Sequence, residues 1–183
     1  MTPTHKQIVL GIGANLSGDF ACPRAACGAA LEALGEGGLR IVERAPWYES
    51  APVPVSDQPW YVNTVVFIET TQGPAELMAV LLETEEAMGR VRSIRNAPRV
   101  IDLDLLAFGK QVVETEQLTL PHPRMHERAF VVLPWRDLAP DWQHPVIGQT
   151  IQQLAEQLPA GQEIRRMMDG DGLFGTEWPG KIA

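Results

Sequence analysis

The sequence predicts an α+β domain with the element order β-α-β-β-α-β. Two observations carry this. Apolar and polar residues alternate with period two in short stretches that are rich in β-branched side chains. Between them lie two longer stretches that open on proline and close on glycine, the punctuation of helices.

Residues 7–13 form an apolar strand ending in glycine. Residues 23–34 form a helix with Pro23 in its first turn and Gly35 after its end. Residues 39–48 contain a second strand, in which Ile41 alternates with Glu43. Residues 61–69 form a third. Residues 74–88 form an amphipathic helix with Leu77, Leu81 and Met88 on one face, and Gly89 stops it. Residues 101–108 form the fourth strand. This order is the split βαβ, or ferredoxin-like, arrangement with helices packed on an antiparallel sheet. C-terminal helices are expected at 127–137 and 150–158, after an extended piece around Val112. From Pro159 onward, glycines at 161, 170, 172, 175 and 180 interrupt a stretch without sustained period. That part reads as a loosely structured tail, which divides the chain into a folded domain over 1–158 and a tail over 159–183.

At 183 residues the chain is long enough for a good core, and 45% apolar content is ordinary for a globular protein. No apolar run could span a bilayer, and Met1-Thr-Pro-Thr-His-Lys6 lacks a signal-peptide core, so the expected location is cytoplasmic. Cys22 and Cys27 fit neither a metal site nor a disulfide framework, and read as reduced thiols in or beside a helix. The net charge of −8 argues against a general nucleic-acid binder.

The most informative segment is Pro98-Arg-Val-Ile-Asp-Leu-Asp-Leu-Leu-Ala-Phe-Gly109. On a strand, Asp102 and Asp104 project from one side while Ile101, Leu103 and Leu105 pack on the other. Two adjacent anions repel, and a hard cation such as magnesium would hold them. Spacing alone fits a half-exposed strand with two solvated acids equally well. The preceding Gly89-Arg-Val-Arg-Ser-Ile-Arg-Asn-Ala-Pro-Arg99 weighs against that reading. Arg90, Arg92, Arg95 and Arg99 crowd one loop of an otherwise acidic chain, and arginine grips phosphate bidentately. A cationic loop followed by paired carboxylates suits a magnesium-polyphosphate site. Gly13-Ala-Asn-Leu-Ser-Gly18 has the glycine spacing of a phosphate loop but continues Asp19-Phe20, where Lys and Ser or Thr are needed, so it is rejected.

These segments, with Leu118-Thr-Leu-Pro-His-Pro-Arg-Met-His-Glu-Arg-Ala-Phe130, Gly13-Ala-Asn-Leu16 and Asp57-Gln-Pro-Trp-Tyr-Val-Asn63, resemble the 6-hydroxymethyl-7,8-dihydropterin pyrophosphokinases of folate biosynthesis. The resemblance runs from about residue 7 to about 157. It implies the same fold and a transfer of diphosphate from ATP to a reduced pterin. It implies that Asp102 and Asp104 hold two magnesium ions. It places Glu85, Arg90, Arg92, Arg99, His122 and Arg128 on the ATP side. Arg90, Arg99, Asp102 and Asp104 carry the chemistry. By the same resemblance, Tyr61 and Phe130 sandwich the pterin, Asn63 meets its amide edge, and Ser50, Ala51 and Val53 close that pocket. Partners are then small molecules, with neither nucleic acid nor membrane, on a monomer or weak dimer. Where many members carry a tryptophan in the arginine loop, this chain has Asn96-Ala97-Pro98. His126 and His144 match nothing and are read as surface residues, and Trp47 and Phe67 as core.

Overall fold

Strand β1 (Ile8–Ala14) is buried along its whole length. Such a strand must be covered on both faces and flanked on both edges, and its position in the sheet does this. A computed structural model describes residues 7–89 and 100–181. β1 is followed by helix α1 (Pro23–Glu36), strands β2 (Arg40–Arg44), β3 (Tyr48–Ser50) and β4 (Tyr61–Glu69), helix α2 (Pro74–Ala87) and strand β5 (Asp102–Phe108). β1 lies between β4 and β5, antiparallel to both. The ferredoxin-like order expected from the pattern is present.

One expected strand is two. β2 and β3 both pair with β4, and Ala45-Pro46-Trp47 separates them. Pro46 has no N–H for a ladder. The carbonyls of Ala45 and Pro46 instead accept from Thr64 Oγ1, at 2.9 and 3.0 Å, and Trp47 is sealed in the core.

The two faces of the sheet carry separate apolar clusters. On one, α1 and α2 cover Leu10, Ile12, Val66 and Leu103. On the other, Val9, Val65, Phe67 and Leu106 meet α3 (Ala129–Leu138) and α4 (Ile151–Glu156). A short hairpin of β6 (Val113–Glu114) and β7 (Thr119–Leu120) precedes them. α4 is closed by a capping box between Thr150 and Gln153. His144 is not a surface residue: it is buried edge-on to Trp142, and its Nδ1 accepts from the backbone N–H of Val146 and Ile147. Cys22 precedes α1 and Cys27 is buried within it; both are free thiols. Among the described residues no helix is long and apolar enough to cross a membrane.

The expectation of a loose tail is corrected. Residues 164–166 form β8 (Ile164–Arg166), which extends the sheet beside β3. Beyond it the chain folds back onto α1. The Arg24 guanidinium grips the Glu177 carboxylate, Trp178 Nε1 donates to Glu32 at 2.6 Å, and Trp47 Nε1 donates to the Phe174 carbonyl at 2.9 Å. Several of the glycines that suggested looseness serve close approach: a Cβ on Gly172 would lie 2.2 Å from the Trp178 carbonyl oxygen, and one on Gly175 2.6 Å from the Asp169 carboxyl carbon. On the facing helix α1, a Cβ on Gly28 would lie 2.3 Å from Thr176 Oγ1. Beyond β8 the only regular element among the described residues is a single 3-10 turn at Leu173–Gly175, so no sustained period marks this segment in the sequence.

Candidate active site

The alternation of β5 does what its residue types dictate. Leu103 and Leu105 point into the core, while Asp102 and Asp104 stay half-exposed on the other side. Both carboxylates line a cavity of about 560 Å³ beside β1. Asp102 sits opposite Gly13 and Asp104 opposite Gly11. Gly13 leaves room for a neighbour: a Cβ there would come within 2.6 Å of Asn63 Oδ1. Asn63 is buried on β4 and donates through Nδ2 to Ser50 Oγ at 2.8 Å. That bond fixes the amide plane in the cavity wall.

The same cavity brings together Ser50, Ala51, Val53, Tyr61, Asn63 and Phe130. Tyr61 hydroxyl donates to Gln58 Oε1 at 3.4 Å, and Asn15 Nδ2 donates to the same oxygen at 3.1 Å. Two elements around one glutamine thus order the loop before β4.

On the carboxylate side stand His122 and Arg128. Arg128 lies 4.0 Å from Asp104 and its guanidinium sits 5.6 Å over the Phe130 ring. His122 Nδ1 accepts the Arg124 backbone N–H at 3.2 Å, so a neutral ring carries its proton on Nε2. Burial pushes the His122 pKa down to about 4, and the nearby Arg128 cation adds to this, against a smaller opposing pull from Asp102.

Glu85 does not line the cavity. It is buried on α2, and its Oε1 accepts the Leu103 N–H at 2.8 Å, between the two aspartates. Arg90, Arg92, Arg95 and Arg99 lie outside the described residues. The sequence reading missed Gln58, Arg124, Glu127 and Gln162, which also line the cavity. Gln58 was visible as part of the quoted Asp57–Asn63 motif. Gln162 had no local signal, because it arrives from the tail.

A sequence model of the 7,8-dihydro-6-hydroxymethylpterin-pyrophosphokinase (HPPK) family matches residues 9–140. The chain belongs to this family. Within that span fall the HPPK-type motifs that build the cavity, including both aspartates, His122 and Phe130. The chain is 41% identical over 155 residues to the 2-amino-4-hydroxy-6-hydroxymethyldihydropteridine pyrophosphokinase of Methylorubrum extorquens, covering 84% of this chain and 95% of that protein. It is 40% identical over 128 residues to the folic acid synthesis protein fol1 of Schizosaccharomyces pombe. That match covers 70% of this chain but spans only 17% of the longer protein. The solved HPPK-DHPS protein of Plasmodium falciparum aligns with a TM-score of 0.63 at 15% identity, over 82% of this chain and 44% of that one. At that identity the likeness shows the fold.

Proposed function

We propose that this chain transfers the β,γ-diphosphate of magnesium-ATP to the hydroxymethyl group of 6-hydroxymethyl-7,8-dihydropterin, releasing AMP, as a step of folate biosynthesis. One observation carries the reading. A single cavity joins an aromatic and amide wall suited to a flat heterocycle to a carboxylate pair with flanking His and Arg.

Tyr61 and Phe130 supply faces on which the pterin ring stacks. Asn63, held by Ser50, offers a donor and an acceptor to the ring's amide edge. Ala51 and Val53 close that end. His122 and Arg128 bind triphosphate oxygens. Arg90, Arg92 and Arg99, close together in the sequence and outside the described residues, would add positive charge on the nucleotide side.

The residues present fit magnesium. Asp102 and Asp104 give hard oxygen donors on one side of one strand. Among the described residues there is no cluster of three or more His, Cys, Asp or Glu side chains that could hold a metal ion. A two-carboxylate site leaves the remaining positions to substrate phosphates and water, which is magnesium's habit. Asp102 and Asp104 would hold two ions there. When bound, magnesium supplies neutralisation of charge on the phosphoryl oxygens. The chain's own share is positioning: the two walls bring the hydroxymethyl oxygen and the β-phosphorus together in one cavity. The substrates are small molecules, and we read the protein as cytoplasmic and as a monomer or weak dimer.

The test is the nucleotide product. With magnesium-ATP and the reduced pterin, AMP should accumulate in step with pterin diphosphate. ADP in place of AMP would refute diphosphate transfer. Asp102→Ala and Asp104→Ala should abolish turnover while the fold survives, since each removes one of two mutually repelling anions.

A further inference from the structure

Helix α3 begins at Ala129, which makes Arg128 its N-cap residue. An N-cap side chain normally accepts from the first exposed N–H groups of the helix. Arginine has donors and no acceptor, and Arg128 makes no cap bond. The cap comes instead from the tail. Gln162 Oε1 accepts the Ala129 N–H at 2.9 Å, and Gln162 Nε2 donates to the Glu127 carbonyl at 2.9 Å. One side-chain amide therefore clamps the two peptide groups on either side of the Arg128 Cα. Gln162 is held in turn, because Nε2 also reaches the Pro159 carbonyl at 3.2 Å, and Glu163, the next residue, accepts from the Ala51 N–H at 3.0 Å.

We propose that Gln162 is a positioning residue for Arg128: by supplying the helix cap that arginine cannot, it fixes the backbone from which the guanidinium enters the cavity beside Asp104. This rests on the reading of Arg128 as a triphosphate ligand. Gln162 lies beyond the matched family span, so its role belongs to the tail of this chain.

The experiment is a double-mutant cycle on the full chain. The affinity for a non-hydrolysable ATP analogue with magnesium is measured by calorimetry in the parent, Gln162→Leu, Arg128→Ala and the double variant. Gln162→Leu should weaken binding by about threefold to tenfold, within the coupling that contacting neighbours show, and should weaken it less than twofold further when Arg128 is already alanine. Equal losses in both backgrounds, or lowered thermal stability with unchanged affinity, would overturn the proposal while leaving the ATP-side reading standing. If Arg128→Ala alone leaves affinity unchanged, the reading of Arg128 itself fails and the proposal with it. Should Gln162→Leu not fold, Gln162→Asn replaces it. Its side chain, one methylene shorter, cannot span both backbone partners and should give the same non-additivity.

Discussion

Glu85 and Leu103 are joined by a hydrogen bond of 2.8 Å from the Leu103 N–H to a carboxylate oxygen that is almost wholly buried. β5 stands at the end of the sheet, so amides not paired with β1 point outward and need another partner. Glu85 is that partner, and it meets the backbone between Asp102 and Asp104. The spacing of the two carboxylates therefore depends on a helix residue that does not touch the cavity.

Glu85→Ala should leave the Leu103 N–H buried without this acceptor and cost about 1–3 kcal/mol. Glu85→Gln keeps an acceptor and should lose much less. Urea unfolding of the three proteins measures the difference. The same series should show a rise in the magnesium concentration needed for half-maximal turnover, larger in Glu85→Ala. Equal stability of Glu85→Ala and the parent would remove Glu85 from the support of β5.

Gly13→Ala tests the other wall. The new methyl group would come within 2.6 Å of Asn63 Oδ1, so the amide must turn away from its place beside Ser50. Loss of one ordered hydrogen bond to the substrate is worth about 1 kcal/mol, roughly fivefold in affinity. The pterin KM should rise by about that much, with the ATP KM little changed. A rise confined to ATP would put the pterin elsewhere.

How much of this was legible follows from what each pattern can encode. The carboxylate pair was legible because strand alternation is local, and Ile101 to Leu105 state it in five residues. The aromatic and amide wall was legible by resemblance, since Asp57 to Asn63 and Leu118 to Phe130 keep the family's motifs. The break at Pro46 was not, because only the pairing of Thr64 with the Ala45 and Pro46 carbonyls shows where the ladder stops. Glu85 was read as an ATP-side residue by resemblance; its bond to the Leu103 amide had no local signal, because it joins residues 18 apart on two elements. The tail was misread most. Its glycines admit close backbone contacts, and Gln162 meets its partners 33 and 35 residues away in the chain.

That tail gives a prediction opposite to the one its composition suggests. Truncation after Gln162 would remove β8, the Trp47–Phe174 bond and the partner of the nearly buried Arg24. The shortened protein should unfold at markedly lower temperature and aggregate. Glu177→Gln isolates one contact. The Glu177 side chain is 40% exposed, so solvent screening reduces the loss below that of a buried pair, to about 1–2 kcal/mol. Hydrogen bonds from Arg24 hold the Glu177 carboxyl below its ordinary pKa. Its contribution is therefore present above the ordinary carboxylate range and fades as pH falls through the lowered value. Thermal melts at neutral and acid pH should show the parent and Glu177→Gln converging at the acid end.

His122 should link nucleotide binding to proton uptake. The groups that face it are Arg128, Arg124 and Asp102; burial with the two cations holds its pKa near 4, below the ordinary 6.5. The sign follows directly. Between these values the unfolded chain takes up a proton that the folded chain refuses, so His122 lowers stability as pH drops from about 6.5 to about 4, and adds no further slope below. A bound triphosphate reverses the local field: its negative charge favours the imidazolium and raises the pKa. Binding of the magnesium-ATP analogue near pH 5 should then take up a fraction of a proton, read by calorimetry in two buffers of different ionisation enthalpy. At pH 8 the uptake should vanish, because His122 is neutral before and after. His122→Gln should bind without this uptake and should unfold with a shallower pH dependence between pH 4 and 6.5. Uptake that persists unchanged in His122→Gln would place the responsible proton on another group and remove His122 from contact with the phosphates.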